Sequence, residues 1–294
     1  MEHTPVLLKE VMNILEPKPG QFFIDGTLDG GGHATEIINA ISPNGTFLGI
    51  DWDEEMIKRF KNKTEDKTGV ILANDNFRNT PVILNNKNLP KADGMLLDLG
   101  FSSYHIQESG KGFSFQKDEP LDMKYNKEQE LTAAHVVNSL PRETLAEIFK
   151  KYGEERNANK FAEAIVRERN KKQIKTTTDL VSAIESVASR GGYERGRIHP
   201  ATRVFQALRI FVNEELQNVE EILERINEVL RPAGRVAVIS FHSLEDRLVK
   251  NKFRDMAKEK RGILLTKKPI VPTREEILRN PRSRSAKLRA LQII

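Results

Sequence analysis

The chain has 294 residues, of which 38% are hydrophobic and 30% charged, and its formal net charge is +5. This composition is typical of a globular protein that can bury a core. The absence of cysteine excludes disulfides, thiolate metal sites and a thiol nucleophile. No apolar run approaches the ~18 residues of a membrane span, and the first residues lack the pattern of a secretion signal. We therefore expect a cytoplasmic protein that does not contact a membrane.

The first predicted strand leads into a glycine-rich turn. A helix predicted over 6–16 stops before the apolar run 22–24, which ends in Asp25. Three consecutive glycines follow at 30–32, and helical spacing resumes over 34–41. Glycines let the backbone approach a ligand closely, and the start of a helix favours negative groups. This strand, turn and helix predict a nucleotide-type binding site.

Three further strands are predicted, and polar residues follow each of them. They cover 46–50, 70–73 and 94–97, and they lead to Asp51, to residues 75–77 and to Asp98. Helices separate them, which predicts a parallel sheet with a ligand across the carboxyl ends of the strands. Asp51 lies about 20 residues beyond the glycines, where an acid can accept hydrogen bonds from ribose hydroxyls.

The middle of the chain has a different pattern. A long polar loop over 102–122 precedes helical stretches at 132–140, 142–152, 158–169 and 178–189, a basic linker at 190–198 and one long helix over 201–230. Strands return at 235–241 and 263–266, with a helix at 244–256 between them and a last segment near 288–294. We therefore predict an α/β domain formed by 1–106 and 204–294. A helical insertion at 107–203, expected to recognise the substrate, interrupts it.

The glycine turn fits two classes of enzyme, nicotinamide dehydrogenases and S-adenosylmethionine methyltransferases. The dehydrogenase motif G-x-G-x-x-G is absent. An acid in the turn, Asp29, is easier to explain beside the cationic ammonium and sulfonium of S-adenosylmethionine than beside a pyrophosphate. The pattern therefore favours S-adenosylmethionine as the cofactor.

Asp98 begins the segment that we consider most relevant to catalysis. Methyltransferases that act on exocyclic amines commonly carry an acid or amide here, followed by a tight turn and an aromatic residue. A carboxylate can bind the amine hydrogens and stabilise the developing positive charge, and Phe101 can stack on an unpaired base. The alternative is that Asp98 only caps a turn. Because the chain has no thiolate, methylation of a pyrimidine carbon by the usual route is excluded.

The histidines give less specific indications. His33, His199 and His242 could each act as a general base, but no pair has metal-ligand spacing, and we expect no metal. His242 and Ser243 follow a predicted strand and so lie on the ligand side of the sheet, although Ser243 could simply cap the next helix. Arg203 could contact a phosphate or pair with an acid. Phe113 and Phe115 are expected to pack within a folded loop.

A series of sequence blocks resembles the bacterial small-subunit ribosomal RNA (cytosine-N4) methyltransferases. The blocks are DGT (25–27), GGH (31–33), DLG (98–100), SS (102–103), GFSF (112–115), PLDM (120–123), YGEER (152–156), HPA (199–201), FQA (205–207), FHSLEDR (241–247) and RSAKLR (284–289). They occur in order and extend over nearly the whole chain.

The resemblance implies a Rossmann-like seven-stranded methyltransferase sheet with an inserted all-helical domain. It also implies S-adenosylmethionine-dependent methylation of the N4 amine of a cytidine in the decoding region of 16S rRNA, within the small ribosomal subunit or its precursor. By position, the cofactor contacts implied are Gly31, Gly32, His33, Asp51, Phe77, Asp98 and His105. Four positions depart from the family, and two of them are Lys111 and Lys124, which stand where arginine is common. His105 stands where glutamine is usual, with Gln107 as a substitute, and Asp29 replaces a glycine.

Two other functions stay open from the sequence. One is a DNA amino-methyltransferase, and the other is a non-catalytic RNA-binding assembly protein. For substrate contacts, the sequence offers His199, Arg203, His242 and Ser243. It leaves the oligomeric state open, with a dimer among the options.

Overall fold

The computed structural model describes residues 5–64, 67–100, 103–188 and 199–294. The chain divides into two compact units, of which the first combines Met1–Ser102 with Leu216–Ile294 and the second is Ser103–Glu215. The predicted linker at 190–198 lies outside the described residues. The two units are described separately below.

A seven-stranded sheet forms the centre of the first unit in the described part of the chain. Its strands are β1 (Phe22–Asp25), β2 (Thr46–Asp51), β3 (Val70–Asn74), β4 (Ala92–Asp98), β5 (Leu230–Ser240), β6 (Gly262–Leu264) and β7 (Lys287–Ile293). Their order is β3-β2-β1-β4-β5-β7-β6, with the first five parallel and β7 antiparallel to both of its neighbours. The strand order reverses between β1 and β4, which is where open α/β sheets bind ligands. The predicted fold class is confirmed.

Fourteen helices accompany these strands in the described residues. In chain order they are α1 (Leu8–Leu15), α2 (Gly32–Ile41), α3 (Glu54–Lys63), α4 (Thr80–Asn86), α5 (Ser103–Gln107), α6 (Ala133–Ser139), α7 (Arg142–Gly153), α8 (Ala158–Arg169), α9 (Thr177–Glu185), α10 (Pro200–Val212), α11 (Glu215–Glu224), α12 (Ile226–Val229), α13 (Ser243–Lys258) and α14 (Arg274–Arg279). In this part of the chain, every helix is too short or too polar to cross a membrane.

Helices cover both faces of the sheet. Successive strand residues point to opposite faces, so Phe22 and Ile24 of β1 join one buried cluster and Phe23 joins the other. Side chains of α1, α2 and α3 complete the Phe23 cluster, and those of α4, α11, α12 and α13 complete the Phe22 cluster. Because both faces are covered, the strands are almost continuously apolar, which makes them recognisable in the sequence.

The second unit is helical and contains α5 to α10. Its core is one cluster of buried side chains drawn from residues between Phe113 and Val212. Helix α10 packs against α6, α7 and α9. Side-chain caps define several helix starts, including Thr132 for α6 and a reciprocal Thr176–Asp179 capping box for α9. As predicted, Phe113 and Phe115 pack in this core.

The prediction of a single helix over 201–230 is wrong, because the chain forms three helices there, α10, α11 and α12. The first break follows fully buried Asn213, whose Nδ2 donates to the carbonyl of Met123 at 2.8 Å. Its Oδ1 accepts from the N–H of Tyr125 at 3.0 Å. Glu214 then has a left-handed φ of 51°, which cannot continue a right-handed helix.

The limits of the units also differ from the limits set by the sequence pattern. The pattern places the junctions after residues 106 and 203, whereas the units divide after Ser102 and Glu215. The cause at the second junction is α10, whose residues Val204, Ala207 and Leu208 lie in the core of the helical unit. The polar loop predicted over 102–122 also contains a short helix, α5.

Candidate active site

The carboxyl ends of β1, β2 and β4 each carry a buried aspartate. Asp25, Asp51 and Asp98 expose 1%, 8% and 4% of their surface. Asp25 pairs with Gly49 of β2 and Leu96 of β4, so Asp51 and Asp98 lie just beyond it on the flanking strands. The three acids therefore share one edge of the sheet, as the sequence pattern predicts.

Asp51 ties the glycine turn to β2. Its Oδ2 accepts from the N–H of Asp29 at 2.9 Å, and its Oδ1 accepts from the N–H of Asp53 at 2.9 Å. The N–H of Leu28 donates to the carbonyl of Ile50 at 3.0 Å. The turn after β1 therefore has a fixed position relative to the carboxylate that is expected to hold a ribose.

Close packing explains why the turn needs glycine. Gly31 has a φ of 76°, and a Cβ added there would lie 2.2 Å from Cδ2 of buried Phe60. A Cβ on Gly26 would lie 3.1 Å from Cβ of Phe77. A larger residue at either position would displace the turn or its buried neighbours, so the packing of the turn against the core requires glycine there.

Asp98 is positioned by Thr27 and lies beside His33. Its N–H donates to Thr27 Oγ1 at 2.6 Å, and its Oδ1 accepts a long bond from the N–H of Gly100 at 3.4 Å. His33 Nδ1 lies 3.6 Å from Asp98 Oδ2, while Nε2 donates to the carbonyl of Val6 at 2.9 Å. Burial lowers the pKa of His33 to about 4. The ring is therefore neutral near pH 7, and its contact with Asp98 is not an ion pair.

Buried carboxyl groups are concentrated around the turn. Burial raises the pKa of Asp29 well above its usual range, and the carboxyl groups of Asp51 and Asp98 raise it further. Burial also raises the pKa of Asp25, although a hydrogen bond from the N–H of Thr27 opposes this effect. Asp51 contacts the turn through the N–H of Asp29, and Asp98 contacts the residues before it through Thr27. A cationic ligand would relieve their repulsion.

The end of β3 lies beside this region. Phe77 is partly buried against the sheet core and approaches Gly26. The residue before it, Asn76, exposes 3% of its surface, and its side-chain oxygen accepts from the N–H of Arg78 at 3.0 Å. The structure therefore brings Gly31, Asp51, Phe77 and Asp98 into one unit, at one edge of the sheet.

His105 lies in the helical unit. It is 3% exposed, and its ring centroid is 5.2 Å from that of Phe113 and 5.1 Å from that of Tyr125. Gln107 is exposed. Phe101, the predicted base-stacking residue, lies outside the described residues. A cofactor contact by His105 or Gln107 stays a prediction.

The two substrate candidates in the helical unit have structural partners. His199 caps α10, with Nδ1 accepting from the N–H of Ala201 at 3.1 Å, and its Nε2 lies 3.3 Å from a carboxylate oxygen of Glu185. Arg203 is partly exposed and lies 4.0 Å from the carboxylate of buried Glu155. Arg203 thus has the acidic partner that one interpretation of the sequence expects.

The other two candidates lie at the start of α13. The alternative interpretation of Ser243 as a helix cap is wrong, because Ser243 is already the first helical residue and His242 is the cap. His242 Nδ1 accepts from the N–H of Glu245 at 3.4 Å, and Glu245 Oε2 accepts from the N–H of Phe241 at 2.8 Å. A Cβ on Gly100 would lie 2.7 Å from the ring of Phe241. This segment therefore packs directly against the turn that follows β4.

Two residues of the region, Thr27 and Asn76, are not evident as site residues from the sequence alone. Thr27 links two strand ends, because its Oγ1 accepts from Asp98 and lies 3.4 Å from Asp25 Oδ1. A polar residue two positions after the strand-end acid Asp25 could have indicated it. For Asn76, the signal in the sequence is its position directly before Phe77, which is a predicted cofactor contact.

Comparisons with known proteins agree on one family. A family model described as the MraW methylase family matches residues 1–294. Ribosomal RNA small subunit methyltransferase H of Halothermothrix orenii is 43% identical over 307 residues, covering 99% of this chain and 98% of that protein. The protein of the same name from Coprothermobacter proteolyticus is 45% identical over 292 residues, covering 99% and 96%. The similarity therefore extends through both units.

Proposed function

Since the chain belongs to the MraW methylase family, we propose that it methylates the exocyclic N4 amine of a cytidine in the decoding region of 16S rRNA. The methyl donor is S-adenosylmethionine. The names of the relatives supply the small-subunit rRNA as substrate, and the sequence resemblance supplies the N4 atom. The substrate is the small ribosomal subunit or its precursor, so the enzyme acts in the cytoplasm.

One observation carries the proposal. Asp51 and Asp98 both contact the segment that contains the glycine turn: Asp51 Oδ2 accepts from the N–H of Asp29 at 2.9 Å, and Asp98 Oδ2 lies 3.6 Å from Nδ1 of His33 at the start of α2. Transfer to an amine requires the donor and the acceptor base to meet in one place. A donor held on the Asp51 side and an amine held on the Asp98 side meet this requirement.

The residues at this edge fit the chemical groups of the donor. Asp51 is an acceptor suited to ribose hydroxyls, and the start of α2 at Gly32 offers backbone N–H groups to a carboxylate. The acids around Asp29 favour the cationic centres of the donor. Phe77 offers a ring face to the adenine. When bound, the donor supplies an electrophilic methyl group.

Asp98 is proposed to orient the target amine. The lone pair of a cytosine amine is delocalised into the ring, so attack requires acceptors that bind the N–H groups and favour a tetrahedral nitrogen. A buried carboxylate also stabilises the positive charge that develops on the nitrogen. Thr27 fixes the backbone of Asp98, and neutral His33 adds no competing positive charge beside it. Phe101 is proposed to stack on the base.

The helical unit, Ser103–Glu215, is proposed to recognise the rRNA. The chain has an excess of basic residues, and binding to a polyanion depends on such charge. Partly exposed Arg203 is the proposed phosphate contact there. His199, four residues earlier in the chain, is proposed to contact the rRNA as well. His242 and Ser243 are proposed to contact the substrate from the sheet unit, because they pack near the turn after β4.

A methylation assay tests the proposal directly. Small ribosomal subunits that lack the modification are incubated with S-adenosylmethionine, and the nucleosides are identified by mass spectrometry. We expect N4-methylcytidine. Asp98→Ala should reduce turnover by roughly 10²- to 10³-fold, as expected for the loss of a group that stabilises transition-state charge. Asp51→Ala should mainly raise the dissociation constant of the donor.

The control is Asp93→Asn at the opposite edge of the sheet, where Asp93 binds the N–H of Phe22 at 2.8 Å. This variant should keep its activity. A methyl group on a ring carbon or a ribose oxygen would contradict the mechanism. Equal methylation of cytosine in DNA would favour the DNA enzyme, and failure to bind the donor would favour a non-catalytic assembly protein.

A further inference from the structure

The positive charge of the chain is concentrated near its C-terminal end. Residues 265–294 contain eight lysines or arginines and two acids, a net charge of +6, so the rest of the chain carries −1. The helical unit, with 19 basic and 17 acidic residues, holds little of the excess. The basic segment belongs to the sheet unit, which is therefore the unit whose charge attracts a polyanion.

The strand register places this segment at the edge of the sheet that carries the candidate site. β7 runs antiparallel to β5, and its first residue, Lys287, pairs with Ser240 at the carboxyl end of β5. The preceding residue of β5, Ile239, pairs with Asp98 of β4. Because neighbouring strands lie about 4.8 Å apart, the start of β7 is roughly 10 Å from the strand end at Asp98.

The first of two exposed turns in this segment follows β6. Thr266 is buried, and its Oγ1 accepts from the N–H of Ala290 at 3.0 Å. Ile270 then returns to the sheet through an isolated bridge to β7. Lys267 and Lys268 lie between these two anchors, and both are exposed. The backbone that presents the two lysines is therefore fixed to the sheet.

The second turn, the short 3-10 helix Pro281–Ser285, leads into β7. Ser283 at its centre is fully buried, and its Oγ donates to the carbonyl of Asn280 at 2.8 Å. Arg282 and Arg284 flank this serine, and both are exposed. The buried serine therefore holds the turn in a conformation that directs two guanidinium groups to solvent.

Acids do not neutralise this surface. In the described part of the chain, Arg284 and the two lysines of the first turn pair with no acid. Two cations of β7 already bind the carboxylate of Asp246, Lys287 at 3.1 Å and Arg289 at 2.7 Å. Exposed cations without an acidic partner suit phosphate groups, which carry the same charge in every nucleotide.

On the basis of the proposed function, we propose that Lys267, Lys268 and Arg284 bind phosphate groups of the rRNA strand beside the target cytidine. These three residues form a basic edge of the sheet unit. The methyl donor is proposed to occupy the ends of β1, β2 and β3, on one side of β4, and the basic edge lies on the other side, at the ends of β7 and β6. Phosphate contacts fix the register of a nucleic acid without reading its sequence. The basic edge therefore positions the rRNA, while Asp98 orients the amine.

The test compares wild-type protein with the variant Lys267→Gln/Lys268→Gln/Arg284→Gln on small ribosomal subunits that lack the modification. Loss of three phosphate contacts should raise the KM for the subunit on the order of 10- to 100-fold at about 100 mM salt. The kcat should stay within about twofold, because these contacts are the same in the ground state and the transition state. In filter binding, the slope of log Kd against log salt should become shallower by about 2. Binding of S-adenosylmethionine, measured by calorimetry, should not change.

The matched control is Lys18→Gln/Lys87→Gln/Lys91→Gln. It removes three exposed lysines that precede β1 and β4, at the opposite edge of the sheet. The control should keep the KM, the kcat and the salt slope of wild-type protein. An unchanged KM and salt slope in the first variant would overturn the inference, and so would an equal loss in the control, which would reflect net charge alone. Failure of wild-type protein to methylate the subunit would instead overturn the proposed function, and the inference with it.

Discussion

His33 shows how burial decides which atoms of the site carry protons. The carbonyl of Val6 accepts a hydrogen bond from the Nε2–H group of His33, so the unprotonated Nδ1 faces Asp98. Burial lowers the pKa of His33 to about 4, whereas a histidine in an unfolded chain titrates near 6.5. The unfolded chain therefore binds more protons between these two values, and acid should favour unfolding in this range.

The expected result is a pH-dependent difference in stability between wild-type protein and His33→Gln. Glutamine can still donate to the Val6 carbonyl but does not titrate. Relative to the variant, the free energy of unfolding of wild-type protein should be constant above about pH 7. It should fall by on the order of 3 kcal/mol between pH 6.5 and 4. Urea unfolding across this range is the measurement, and parallel pH profiles would contradict the assignment.

Asp29 should show the opposite dependence on pH. Burial and the Asp51 carboxyl group raise the pKa of Asp29 in the folded state. As the pH rises, Asp29 therefore loses its proton in the unfolded chain before it does so in the folded protein. Folding therefore becomes less favourable as the pH rises from the usual carboxyl range through the raised pKa. Asparagine tolerates the left-handed φ of 45° found here. Asp29→Asn should thus gain stability over wild-type protein as the pH rises, as measured by urea unfolding at pH 5, 7 and 8.5. A constant difference at all three pH values would refute the effect.

The glycine turn and α3 form one packed element. Gly31 combines a left-handed φ of 76° with contact to the ring of Phe60, a residue of α3 that is fully buried. A side chain at position 31 would therefore displace α3, the helix that follows β2. Since Asp53 caps α3 and also donates its N–H to Asp51, the same shift would disturb the ribose-binding carboxylate.

Gly31→Ala should therefore destabilise the protein by about 3 kcal/mol, combining backbone strain with overpacking. Gly20→Ala is the matched control, because Gly20 has a φ of 84° and no atom within 4 Å of an added Cβ. It should cost only about 1 kcal/mol. Denaturant unfolding gives both values, and calorimetry should show weaker donor binding for Gly31→Ala alone. Equal losses of stability would mean that the contact with Phe60 is unimportant.

Local patterns were sufficient to predict the strands, and long-range contacts explain what the sequence did not show. Buried strands ending in Asp25, Asp51 and Asp98 are visible as apolar runs followed by an acid, so the edge that carries the site was predictable. The break after α10 was not, because Asn213 is fixed by Met123, which lies 90 residues away in the chain. The cap by His242 is a local contact with Glu245, but histidine is not among the usual capping residues, so the sequence favoured Ser243 instead.

At the scale of the whole molecule, each unit has its own buried core. The two clusters of the first unit lie on the two faces of the sheet and draw on both segments of the chain. The cluster of the second unit draws only on residues between Phe113 and Val212. The second unit is also continuous in sequence, as Ser103–Glu215. A continuous segment with its own core has the properties of an independent folding unit.

The fragment 103–215 should therefore fold when it is produced alone. Circular dichroism should show a helical spectrum, and urea should unfold the fragment in one cooperative transition. Phe149→Ala, which empties a fully buried position of α7, should lower the free energy of unfolding by about 3–5 kcal/mol. Lys150→Ala at the next, exposed position should change it by less than about 0.5 kcal/mol. A fragment with no cooperative transition, or with equal responses to the two substitutions, would show that this core does not suffice for folding.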